Sequence, residues 1–171
     1  VLIGVTKVGS VQGYLIEDGR RIPVPGKLYY RGIDLNEIVE AHRKSGTFGY
    51  EEVAYLLLMG HLPTKSELSY FNDIMCRARK LPEGFTEGMI MRHPSRDIMN
   101  DLARSVLLLY SYDENPDDIS IPNVLRQCLQ LIAIFPMLSV YGYQSYQHYH
   151  LGKSLFIHLP KPGLSTAECL L

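Results

Sequence analysis

Apolar positions change their period once along this chain. Over the first thirty residues they fall in short extended runs broken by turn residues. Val1-Leu2-Ile3 and Val5 open one run, and Gly9-Ser10 reads as a turn. Tyr14-Leu15-Ile16 and Arg21-Ile22-Pro23-Val24 then flank Asp18-Gly19, a dipeptide that supplies the positive φ of a tight hairpin. Pro23 and Pro25 confine the second run to a sheet edge, because proline has no N–H to give to a ladder. Leu28-Tyr29-Tyr30 reads as a further short strand closed by Gly32.

From residue 33 onward the period becomes helical. Asp34 and Glu37 have capping-box spacing ahead of Leu35, Ile38, Val39 and His42, which share one face until Gly46 stops the helix. Glu51 and Glu52 lie in the next first turn, where the helix dipole favours acids, and the run ends at Met59-Gly60. Val53, Ala54, Leu56, Leu57, Leu58 and Met59 cover nearly its whole circumference, which predicts burial on most sides. Thr64 and Glu67 form a capping box for a helix reaching Lys80. Ser95 is the expected cap of a helix carrying Ile98, Met99, Leu102, Val106 and Tyr110, broken by Asp113 to Asp118. Ser120 starts a long helix that Pro136 should kink or divide, and a Tyr-rich stretch carries it to Gly152.

Pro160-Lys161-Pro162-Gly163 reads as a connector, and Ser165 to Glu168 as one more capping box with three residues after it. A helix nucleus is costly and is recovered only by later turns. The polypeptide is therefore expected to continue past Leu171, and its start on Val1, inside a strand-like run, suggests an earlier beginning as well. The pattern gives a mainly α fold with a β segment over 1–32 and a helical portion over 33–171. No internal repeat, low-complexity stretch or sharp compositional shift divides it further.

Composition changes little in this picture. A hydrophobic share of 46% and a charged share of 20% over 171 residues are ordinary for a globular domain with a core. A formal net charge of −1, without a basic run, gives no case for nucleic acid. No stretch reads as long and apolar enough for a membrane span, and no signal peptide opens the chain. Cys76, Cys128 and Cys169 are odd in number, widely spaced and set among apolar residues, which reads as reduced core thiols in a cytoplasmic protein.

Candidate chemistry is sparse. His148 and His150, with His158 further on, form the sole histidine cluster, but residues two apart on a helix cannot chelate from one face. The acidic run Asp113 to Asp118 lacks the alternating ligands and central glycine of a calcium loop, and reads as a solvated turn. Arg77, Arg79 and Lys80 sit at a helix C-terminus, where cations oppose the dipole; they could also meet a phosphate. His93 and His61 lie in tight connections with no nucleophile or carboxylate at telling spacing. No glycine-rich phosphate loop, G-x-S-x-G or H-E-x-x-H motif is present.

Three stretches together resemble the citrate synthase family, specifically the N-terminal portion of a bacterial-type member. They are Leu28 to Asp34; Tyr50-Glu-Glu-Val-Ala-Tyr-Leu-Leu-Leu-Met-Gly-His-Leu-Pro-Thr64 with Glu67, Leu68 and Phe71; and His93-Pro94 ahead of a long amphipathic helix and the helix around Pro136. The second stretch is the specific one. The resemblance implies citrate-synthase-like large-domain helices after a short β-hairpin region, in a homodimer. It implies condensation of acetyl-CoA with oxaloacetate to citrate and free CoA, by acid–base chemistry of an aspartate and two histidines, with arginines on the dicarboxylate and no metal or prosthetic group. Those residues fall beyond the position matching Leu171 in the family, and none of the six histidines here matches one. No catalytic, cofactor-binding or metal residue is therefore assigned, and the chain alone is expected to be an inactive scaffold and dimer contact. A 2-methylcitrate synthase, using propionyl-CoA, is the alternative within the fold. A non-catalytic helical interaction module is the alternative outside it.

Overall fold

A computed structural model describes residues 6–171; the first expected run, Val1 to Val5, lies outside the described residues. The chain divides into two compact units, Val1–Phe71 and Asn72–Leu171. The mainly α fold with an N-terminal β region is borne out.

In the first unit, β1 (Gly9–Glu17) and β2 (Arg20–Tyr30) form an antiparallel hairpin around Asp18 (φ 48°) and Gly19 (φ 76°), the two positive φ values that the Asp-Gly pair promised. Gly9-Ser10 is not a turn: both residues pair into the start of β1, opposite Tyr30 and Tyr29. Nor is Leu28 to Tyr30 a separate strand, since β2 runs unbroken through both prolines. The prolines are tolerated because β2 has a partner on its second side only at Tyr29 and Tyr30, where β3 (Ile33–Asp34) pairs; Pro23 and Pro25 therefore sit on a locally free edge. Arg31 turns the chain into β3 with a φ of 50°, and its guanidinium donates to the Leu57 carbonyl at 2.7 and 3.2 Å.

Helix α1 (Leu35–Ser45) is capped by Asp34, whose carboxylate accepts from the Asn36 amide at 2.9 Å rather than trading bonds with Glu37. Only Ile38 of its expected face is buried; Val39 is exposed. Helix α2 (Tyr50–Met59) buries Ala54, Tyr55 and Leu56 and leaves Met59 exposed, so its apolar circumference is only partly covered. Gly46 and Gly60 close these helices in the left-handed conformation. Helix α3 (Lys65–Ala78) begins with the predicted capping box: the Thr64 amide donates to Glu67 at 2.8 Å and the Glu67 amide to Thr64 Oγ1 at 3.3 Å.

The second unit is organised around α5 (Ile121–Leu151), which is continuous through Pro136. Proline removes one backbone bond from a helix, but packing on both sides of the gap holds: Ala133, Ile134, Met137, Leu138 and Tyr141 are all buried. They meet Phe85, Ile90 and Leu109, from a π-helix (Thr86–Met91) with its preceding residue and from α4 (Ile98–Leu109). The π-helix had no counterpart in the sequence reading. Its Ile90 carbonyl is satisfied by Ser145 Oγ at 3.0 Å from α5. Asp97, not Ser95, caps α4, accepting from the Asn100 amide at 3.1 Å; Ser95 instead receives the Asp97 amide and donates its own to the buried Asp101. The chain ends in α6 (Thr166–Leu170) behind the predicted box of Ser165 and Glu168.

One expectation about membranes needs correction. Among the described residues α5 is long and apolar enough to cross one, with a mean hydropathy of 1.5 over its best 18-residue window. Polar residues such as Arg126, Gln127 and Gln130 interrupt the apolar run, which hides its length in the sequence. Its inner face forms the unit's core, as an interior helix of a globular unit does.

Candidate functional site

The residues singled out from sequence do not converge. His61 Nδ1 lies 3.0 Å from the Leu62 carbonyl and its ring stands edge-on to Tyr55. His93 is exposed, and its carbonyl accepts from Arg104 at 3.0 Å. His148 Nδ1 is 2.7 Å from the Lys153 carbonyl beyond the end of α5, His150 stacks at a tilt on Tyr146, and His158 contributes only a carbonyl, which accepts from Tyr141 at 2.8 Å. Among the described residues no group of three His, Cys, Asp or Glu is placed to hold a metal ion. The three cysteines are half-buried and none is in a disulfide among the described residues.

The acidic loop is a structural tie. Arg126 on α5 donates to both Asp113 oxygens at 2.6 and 2.8 Å, and Gln127 adds a bond at 3.1 Å. The Asn115 amide and these donors hold the Asp113 carboxyl below its usual pKa. Asp118 accepts from the Ser120 amide and hydroxyl, both at 2.9 Å, and is likewise held low. Asp117 takes the Tyr110 hydroxyl, which pushes that phenol up. These carboxylates are spent on the loop that enters α5.

Arg79 is the least expected residue. It lies just past α3 and is 3% exposed, although charge at a helix end normally faces water. Its guanidinium donates to the Leu164 carbonyl, to Thr166 Oγ1 at 3.0 Å and to Cys169 Sγ at 3.2 Å, while Cys76 Sγ reaches the same carbonyl at 3.7 Å. A buried cation with several acceptors is a fastener, and it ties α6 and its approach to the end of α3. Glu168, within its field, is held below its usual pKa first by Ser165 and last by Arg79. The sequence offered only three cations near a helix end, and nothing there distinguished Arg79 from Arg77 or Lys80.

Beside this fastener a cleft of about 580 Å³ opens. Leu81, Met137 and Tyr141 are among its apolar lining, and Arg77, Lys80 and Lys161 are its exposed cations. Burial pushes the Tyr141 phenol up. The cleft joins an apolar lining to exposed cations, an arrangement suited to binding.

Residues 1–171 match the family described as "Citrate synthase, C-terminal domain". Citrate synthase of Corynebacterium glutamicum is 34% identical over 123 residues, 70% of this chain and 26% of that protein. The 2-methylcitrate synthase of Shewanella oneidensis is 31% identical over 117 residues, 68% of this chain and 29% of that protein. Among solved structures, citrate synthase of Pyrobaculum aerophilum aligns with a TM-score of 0.74 at 26% identity, over 98% of this chain and 38% of that one. A ternary complex of the Thermoplasma acidophilum enzyme with carboxymethyl coenzyme A and oxaloacetate gives 0.76 at 23% identity, over 99% and 39%, and bears on the fold alone. The chain thus spans between a quarter and two-fifths of these proteins' lengths. By the match along all of its residues, the chain belongs to the citrate synthase family.

Proposed function

We propose that this chain is the scaffold and dimer-forming part of an enzyme that condenses acetyl-CoA with oxaloacetate to citrate and CoA, and that by itself it is catalytically silent. The observation that carries the reading is the pairing of a family match along the whole chain with side chains that are consumed in structural ties. The 2-methylcitrate synthase match at 31% identity keeps propionyl-CoA as the second reading.

The dimer contact is the outer surface of α4 and α5. On α4, Met99, Ala103 and Leu107 recur at a spacing of four, with Tyr110 just past the helix end, and all face water; Met99 is 73% and Leu107 75% exposed. The opposite side of the same helix buries Asp101, Ser105 and Leu109, so α4 is apolar on its outer side as well as where it meets the core. On α5, Ile121 is 85% exposed, and Val124 and Phe135 lie on the same side, away from the core stripe. A helix pair with so much apolar surface fits a second copy of itself.

The test is release of CoA thiol by the whole protein given oxaloacetate with either acetyl-CoA or propionyl-CoA. The better thioester names the enzyme, and no turnover with either sinks the reading. Turnover by the 171-residue chain would refute its silence. Leu107→Glu with Ile121→Glu should shift the whole protein to monomer in sedimentation equilibrium, and an unchanged dimer would move the contact elsewhere.

A further inference from the structure

We propose that the cleft beside Arg79 binds a small amphiphilic anion, an acyl or aryl body bearing a carboxylate or phosphate head. Its volume of about 580 Å³ lies within the range typical of small-molecule sites. The body has an apolar seat in Leu81, Met137 and Tyr141. The Tyr141 hydroxyl is already given to the His158 carbonyl at 2.8 Å, so this residue lends the cleft ring surface rather than a hydrogen bond. Pro82, Pro160 and Pro162 form much of the remaining wall, and their fixed φ pre-organises it before any ligand arrives.

The head is selected by charge. Arg77, Lys80 and Lys161 are exposed at the lining against the single carboxylate of Glu87, in a chain whose overall charge is −1. Arg77 also serves the C-terminal turn of α3, and Lys80 lies two residues past its end. Lys161 has no such role: it lies in the connector before α6, remote in sequence from that helix end, and still brings its cation to the same cleft. Arg79 is not counted, because its guanidinium is engaged by Leu164, Thr166 and Cys169. Thr86 and Glu87, the opening residues of the π-helix, also line the cleft, and such a deformation recurs at functional sites. This inference does not rest on the citrate-forming reading, and its test involves no turnover.

The experiment titrates the intact protein with octanoate, octyl phosphate, octanol and acetate, by calorimetry and by the Met137 methyl resonance. One or both octyl anions should bind at one site and shift that resonance, the stronger naming the preferred head. Octanol should bind about tenfold more weakly, and acetate should not bind. Removing methylenes should weaken binding by up to about fourfold each. Lys80→Glu with Lys161→Glu changes two exposed side chains outside the core; it should cost the anion about tenfold while leaving octanol unaffected. A melting curve matching the parent's checks that this variant is folded. The proposal is overturned if neither octyl anion binds, if octanol binds as tightly as they do, if the double variant keeps full affinity, or if the Met137 resonance stays still.

Discussion

The β1–β2 hairpin leaves Val11, Leu15 and Ile16 exposed, whereas α5 buries Ala133, Ile134 and Leu138 almost completely. The two regions are held by different forces. The hairpin is fixed by backbone: a ladder from Gly9–Tyr30 to Glu17–Arg20, a turn with two positive φ values, and an irregularity between Gln12 and Tyr14 that absorbs two extra residues of β2. Helix α5 is fixed by side chains that meet Phe85, Ile90 and Leu109 from other elements. Local chemistry therefore specifies the hairpin, and tertiary contact specifies the second unit.

The largest effect expected from that contrast is on the core. Phe85 is 1% exposed at the centre of the cluster, so Phe85→Ala should cost about 3–5 kcal/mol in urea unfolding through lost burial and the cavity left behind. Ile16→Ala in the exposed hairpin should cost no more than about 0.5 kcal/mol. Equal losses would mean that the hairpin is as tightly packed as the core, and the contrast would collapse.

A middling effect is expected where the hairpin does have a fixed requirement. Gly19 has a φ of 76° with nothing within 4 Å of where a Cβ would stand, so any cost of Gly19→Ala is conformational rather than steric contact with neighbours. It should amount to about 1–2 kcal/mol, read as lost protection of the β1–β2 amides in hydrogen exchange. Gly19→Asn should recover part of it, because Asn tolerates the left-handed region. Full protection in the alanine variant would show that the ladder, not the turn, sets the register.

The same contrast explains which features are legible in the chain. Asp18-Gly19, Thr64 with Glu67 and Ser165 with Glu168 act over two to four residues, and all formed as their spacing predicts. The misses were settled at longer range or between near-equal local options. Ser95 and Asp97 are both good caps, and the choice is decided by Ser95 giving its amide to Asp101 six residues on. The unbroken β2 depends on which of its sides meets β3. The burial of Arg79 depends on Leu164 and Thr166, more than eighty residues away, which no local pattern can announce. The family signature was legible as a block because Tyr50 to Thr64 is one helix and its exit, whereas the cleft is assembled from α3, the π-helix, α5 and the connector.

The smallest effect lies in the two capping boxes, identical in design and unequal in the helices they open: fourteen residues of α3 and five of α6. In both, the carboxylate is held below its usual pKa by its partner's hydrogen bonds, chiefly the backbone amide of Thr64 for Glu67 and the Ser165 hydroxyl for Glu168. A carboxyl with a lowered folded-state pKa stabilises fully above its unfolded pKa, and loses that contribution as pH falls through the folded value. Neutral pH should therefore show the greatest difference in urea midpoint between the parent and Glu67→Gln, and acidification should close it. Glu168→Gln should take the same course with a smaller amplitude, since so short a helix has few turns whose formation the cap can favour. A gap at Glu67 that stays constant into acid would assign the effect to side-chain shape instead of charge. An amplitude at Glu168 equal to that at Glu67 would mean that Arg79, rather than the helix behind it, sets the worth of the second box.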